Sequence, residues 1–272
     1  MSELLSQTQV SLPLTPAILA LFISHLHNIK LAPATIATYI SAIGYSHKIQ
    51  NLADPTDNFL IQRLLHATKK VNPRYDVRLP ITKEILKKLV DVLPSVVPSY
   101  YMYVAIKCMF LLGFHAFLRI SEMIYMPNQS QHYLHKEDIN ILYTNSKHSQ
   151  IQVTFRSFKH NSTCKPHYII LQSETNAPSL CPVKATQEYI KLRGDKTGPL
   201  FARPNGVPLT RSEFMNIYNN ALKVCDLDPK FYKGHSFRIG ASTTYAAAGW
   251  SDAQIRHRGR WHTNAFKKYV RM

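Results

Sequence analysis

Hydrophobic positions along the chain recur mostly at helical spacing, with one block of alternation between residues 138 and 171. Thr15-Pro16 opens an apolar stretch through Leu26, a helix start with proline in the first turn, where its missing N–H costs nothing. A second helix is predicted from about Pro33 to Ile49, with Ile36, Ile40 and Ile43 on one face. A third follows Asp54-Pro55 and is expected to bury Phe59, Leu60, Leu64 and Leu65 together. From Val71 to Pro80 two prolines and mixed charge break the rhythm, which marks a linker. The predicted organisation is a helical domain over residues 1–75 and a second domain over 80–272.

The second domain resumes with a helix carrying Ile85, Leu86, Leu89, Val90 and Leu93 at core positions, then a long apolar helix of about 99–118. Asp138 to Tyr143, Gln150 to Phe158 and Pro166 to Leu171 read as three strands. In the middle one, Ile151, Val153 and Phe155 point one way and Gln152, Thr154 and Arg156 the other. Cys181-Pro182 starts a further helix, and Thr210–Glu213 and Ser251–Gln254 are capping boxes that open two more. Gly259 reads as a helix stop, and a short terminal helix is predicted over about 264–271. The fold class is therefore mainly α with a small three-stranded antiparallel sheet.

Charge adds a partner to this picture. Thirty-three Lys and Arg against 16 Asp and Glu leave a formal net charge of +17, which asks for a polyanion, nucleic acid before a membrane surface. The excess is concentrated: residues 233–272 carry eight Lys and Arg against Asp252 alone, and residues 62–88 carry eight against Asp76 and Glu84. Two separated basic regions suit a protein that grips a duplex from two sides. Cys108, Cys164, Cys181 and Cys225 show no CxxC spacing, which fits reduced intracellular thiols and neither a disulfide framework nor a zinc site. No secretory leader is recognisable, and the apolar run from Met102 to Leu118 holds Lys107 and His115, so a buried helix is expected there and no membrane partner.

Several residues then stand out for chemistry. His235 and Arg238 lie three apart on one helical face, at a helix N-terminus, where both can reach a single anion. Thirty-one positions later comes Tyr269, off the apolar stripe formed by Phe266 and Val270. Arg119 closes the long apolar helix, and Glu122 three residues on is the acid placed to orient its guanidinium. Lys159 is expected at a hairpin tip as a mobile proton donor, with Lys165 across the turn as its rival.

In this order, Arg…Lys…HxxR…Tyr, the chain resembles the tyrosine recombinases (phage-integrase-like proteins), and more narrowly those of eukaryotic DIRS-like and Crypton-type mobile elements. The matching stretches are Phe117–Glu122, Cys181-Pro-Val183, Leu200-Phe201 with Gly206 and Pro208–Thr210, Gly234–Ala241, and Gly259-Arg-Trp261 before Tyr269. The resemblance implies a helical core-binding (SAM-like) DNA-binding domain at 1–75 and a catalytic domain at 80–272. It implies site-specific cutting and rejoining of duplex DNA through a 3′-phosphotyrosine, in a tetrameric synapse, without metal or other cofactor. Arg119 and Arg238 would hold the non-bridging oxygens, His235 would assist proton transfer, Lys159 would protonate the leaving 5′ oxygen and Tyr269 would attack phosphorus. Many relatives carry His or Trp directly after the glycine ten residues before the nucleophile. Here Arg260 stands in that place and Trp261 follows, so Trp261 is the expected site partner and Arg260 the alternative. A type IB topoisomerase-like activity and a catalytically silent domesticated DNA-binding protein are the competing readings. The implied location is the nucleus in a eukaryotic host and the cytoplasm otherwise.

Overall fold

The computed structural model describes residues 12–71, 73, 75–126, 133–143, 149–158 and 165–271. The chain divides into two compact units, Met1–Asp76 and Val77–Met272.

The first unit holds helices α1 (Pro16–Asn28), α2 (Pro33–Ile49) and α3 (Phe59–Val71). The Thr15 hydroxyl accepts from the Ile18 amide and so caps the first orphan donors of α1. Leu19, Ile23 and Leu26 from α1, Ile36 and Ile40 from α2 and Ile61 from α3 form its core. The α3 face differs from expectation. Ile61, Leu64, Leu65 and Thr68 turn inward at spacing i, i+3, i+4, i+7, while Phe59 is 73% and Leu60 49% exposed. The Arg63 guanidinium lies 5.0 Å from the Phe59 ring centroid and gives that ring a partner at the surface.

In the second unit, α4 (Lys83–Val96) and α5 (Tyr100–His115) are followed by the single turn α6 (Ile120–Met123). Then come strands β1 (Ile139–Tyr143), β2 (Ser149–Phe155) and β3 (His167–Gln172). Helices α7 (Pro182–Arg193), α8 (Arg211–Val224), α9 (Ser236–Ala247) and α10 (Asp252–Gly259) complete it. α5 is the central helix, apolar all round and packed by α4, α7 and α9. Among the described residues no helix is long and apolar enough to cross a membrane. α5 ends at His115, earlier than the apolar run suggests, because Phe117 turns to φ +52°.

The sheet is antiparallel in the order β1-β2-β3, with Ile141 opposite Ile151 and Ile151 opposite Leu171. Ile151, Val153 and Phe155 are buried as the alternation requires. β2 pairs only as far as Phe155 opposite His167, so it stops short of Phe158. Both capping boxes are present, at Thr210–Glu213 and Ser251–Gln254. The expected short terminal helix is present as a 3₁₀ helix, Asn264–Tyr269, which buries Phe266.

The segment entering α4 crosses the start of α9. The Ile81 amide donates to the Ser236 carbonyl at 3.0 Å, and a Cβ on Gly240 would stand 1.8 Å from the Ile81 carbonyl oxygen. Only glycine permits that crossing, which anchors the helix carrying Arg238.

Candidate active site

Local chemistry first places each side chain at a chain terminus of some element. Arg119 is the N-cap of α6, and its amide donates to Glu122 Oε2 at 2.8 Å, as in a capping box. Its guanidinium Nη1 donates to the other carboxylate oxygen, Oε1, at 2.7 Å. The two-point grip fixes Arg119, whose side chain remains 18% exposed while that of Glu122 is 3% exposed. His235 is the N-cap of α9, and Arg238 lies in its first turn, fully buried. Phe237 between them packs on Phe110 and Tyr218, at 5.3 Å from each ring, and so sets the rotation of α9.

Arg238 is held by the C-terminal ends of two helices. Its Nη1 donates to the Phe117 carbonyl just past α5, and its Nη2 to the Gly259 carbonyl at the end of α10, at 2.8 Å. Unpaired carbonyls at helix C-termini carry partial negative charge, so two of them partly offset a buried guanidinium. The compensation is incomplete. Burial, then repulsion from Arg119 and Arg260, hold the Arg238 pKa well below the ordinary arginine value, against the pull of Glu122 and Tyr269. The guanidinium stays charged, a buried cation beside two others.

The aromatic side of the site comes from the C-terminal segment. Trp261 lies over Arg238, its ring centroid 4.3 Å from the guanidinium carbon. Tyr269 is 5.2 Å from the Trp261 ring, 5.9 Å from the His235 ring and 5.8 Å from the Arg238 guanidinium carbon. Thr243 on α9 fixes this segment: its hydroxyl accepts from the Arg271 amide at 3.0 Å and donates to the Tyr269 carbonyl at 3.4 Å. Gly259 must be glycine, because a Cβ there would stand 1.7 Å from the Trp261 ring.

The residues expected from the sequence thus fall into distinct places. Arg119, Glu122, His235, Arg238, Trp261 and Tyr269 converge on one site. Of the two candidates after Gly259, Trp261 is the one beside Tyr269. Arg260 lies behind it, its side chain fully buried, with Nη2 2.7 Å from Glu122 Oε2 and its guanidinium carbon 3.8 Å from the Phe155 ring centroid. Lys159 lies outside the described residues; Lys165 is described and exposed, two residues before β3. Sequence reasoning missed the carbonyls of Phe117 and Gly259, which no side-chain motif announces, and Thr243, one hydroxyl among many. It also missed His167 at the start of β3. That ring is 4.6 Å from His257, and burial, then His257, Arg260 and His262, push its pKa down to about 4.

Burial alone would raise the Glu122 pKa, but Arg260, Arg238 and Arg119 outweigh it, so the carboxyl is held below its ordinary value and is ionised at neutral pH. Arg119 and Arg260 share the Glu122 carboxylate while Arg238 has only carbonyl acceptors, which leaves a preorganised excess of positive charge beside Tyr269.

Several solved structures share this architecture. The Tn1549 transposon integrase, in complex with circular intermediate DNA, superposes with a TM-score of 0.59 at 17% identity, over 99% of this chain and 86% of that one. The XerH site-specific recombinase, bound to palindromic difH substrate, gives 0.61 at 13% identity, over 95% and 67%. A lambda integrase dimer bound to a COC′ core site gives 0.59 at 13% identity, over 96% and 67%. At these identities the likeness is one of fold. No curated protein sequence matches the chain. Residues 81–271, a span that holds every candidate from Arg119 to Tyr269, match the phage integrase family, and the chain belongs to that family.

Proposed function

We propose that this protein is a site-specific DNA recombinase that cuts and rejoins duplex DNA through a 3′-phosphotyrosine at Tyr269, in the service of a mobile element. The observation that carries the reading is the surplus of guanidinium over carboxylate next to that tyrosine. A scissile phosphate supplies the missing negative charge, and Arg119 with Arg238 stabilises its non-bridging oxygens as charge develops. Tyr269 Oη attacks phosphorus, the bond to the 5′ oxygen breaks, and the phosphodiester energy is kept in the new Tyr–phosphate bond for religation. His235, beside the Tyr269 ring, takes part in moving the tyrosine proton, and Lys159 delivers one to the leaving 5′ oxygen. Fixed cations take over the charge stabilisation, so strand cleavage proceeds in chelator. Self-association into a tetramer on DNA belongs to the same reading, as does DNA binding by the helical unit at 1–75.

The test is a covalent adduct. Incubated with nicked or suicide duplexes, the protein forms a DNA adduct that survives denaturation, and Tyr269→Phe abolishes it with DNA affinity nearly unchanged, since one hydroxyl adds little to a large phosphate interface. An adduct that persists in Tyr269→Phe refutes the assignment.

A further inference from the structure

We infer that Arg260 is a positioning residue: it never touches the phosphate, and it sets the two groups that hold the phosphate-binding arginines in place. This rests on the proposed reaction and gives Arg260, the alternative to Trp261 in the sequence, a role of its own. The guanidinium has no route to a substrate, since its side chain is 0% exposed. Its Nη2 donates to Glu122 Oε2 at 2.7 Å, while the same carboxylate takes Arg119 on Oε1. Its Nη1 donates to the Ala116 carbonyl at 3.2 Å and its Nη2 also reaches the Phe117 carbonyl at 3.3 Å. That Phe117 carbonyl is the acceptor of Arg238 as well. Arg260 therefore grips both anchors, the carboxylate that orients Arg119 and the carbonyl that orients Arg238, from the side away from solvent.

Two backbone observations bear on the same contacts. Arg260 has φ +57° and Phe117 φ +52°, both in the left-handed region that side chains avoid. Strain of this kind persists where the surrounding structure holds it, and here it sits on the donor and the acceptor of one bond. The left-handed turn at Arg260 is also what sends its side chain inward to Glu122 while Trp261 faces Arg238 and Tyr269. Lysine is no equivalent replacement, because it keeps the charge and lacks the planar fork whose two ends reach Glu122 with Phe117 and Ala116.

The test is a double-mutant cycle on single-turnover cleavage at saturating nicked duplex, with Arg260→Met, Glu122→Gln and the pair. Misplacing the arginines by about an ångström lowers the rate constant on the order of 10²-fold. A residue acting through Glu122 makes the pair no slower than the slower single variant, whereas an independent phosphate contact makes the losses multiply. The amplitude separates a structural role. Loss of folded protein lowers the fraction of enzyme that forms adduct and leaves its rate constant alone, and that outcome overturns the inference, as do multiplying losses. Where Arg260→Met fails to fold, the cycle is run with Arg260→Lys, which keeps the charge and loses the planar fork. A crystal structure of either variant gives a readout apart from activity: an Arg119–Glu122 pair and an Arg238–Phe117 bond unchanged from the parent would overturn the inference. Absence of any adduct from the unmutated protein counts against the recombinase reading, and the crystal structure still decides the positioning role.

Discussion

Phe117 and Arg260 stand 143 residues apart, yet both adopt left-handed backbone and meet in a hydrogen bond of 3.3 Å. One ends the central helix α5 and the other ends α10, so the bond joins two helix C-termini. Between them lies Arg238, which takes a carbonyl from each end. The second unit thus uses the negative poles of two helices to hold a guanidinium out of water without neutralising it.

The Gly259→Ala variant tests how tightly Trp261 is seated. Its Cβ would stand 1.7 Å from the indole, so the ring must leave Arg238 and with it the neighbourhood of Tyr269. Adduct formation is expected to fall on the order of 10²-fold, as for other displacements at a reacting centre. Near-normal cleavage by this variant would show that Trp261 does not position Tyr269.

Glu122→Gln removes the carboxylate shared by the Arg119 and Arg260 guanidiniums, and a buried ion pair broken on one side costs about 3–5 kcal/mol. The pH dependence has a definite sign. Because the folded Glu122 pKa lies below the ordinary value of 4.5, its contribution is present above that value and disappears as pH falls through the folded one. Urea unfolding at pH 7 and at progressively lower pH is expected to show a gap between parent and variant that narrows in acid. A gap that stays constant below pH 4.5 would contradict this account of Glu122.

Lys159 and Lys165 are separated by a substrate with a 5′-bridging sulfur, whose leaving group needs no proton. Lys159→Ala is expected to slow cleavage of the normal phosphodiester far more than binding and to be largely restored by the sulfur substrate. Arg119→Ala and Arg238→Ala lose about 10²–10³-fold in rate and are not restored, since they act on the non-bridging oxygens. Restoration of Lys165→Ala in place of Lys159→Ala would move the general acid to the other side of the hairpin.

Much of the fold was legible because its signals are local. Thr15-Pro16, the two capping boxes and the alternation at Ile151, Val153 and Phe155 each act within a few residues, and the structure has each element where those signals stand. The same holds for pairs close in sequence: Arg119 with Glu122 and His235 with Arg238 follow from helical spacing. Where sequence reasoning erred, a nearest-neighbour signal was overruled by packing. Phe59 and Leu60 are apolar but fall on the outer side of α3.

The sequence favoured Trp261 over the adjacent Arg260 as the residue beside Tyr269, and the structure has Trp261 there; what it left open was where the Arg260 side chain goes. A single left-handed turn decides it, and that turn is stabilised by Glu122, Ala116 and Phe117, all more than a hundred residues away. The residue types needed for the chemistry, and their order along the chain, were therefore determined by the sequence alone. Which of them gather around Tyr269 and which stand behind was decided only in the tertiary structure, where buried charge must find its partners wherever the chain brings them.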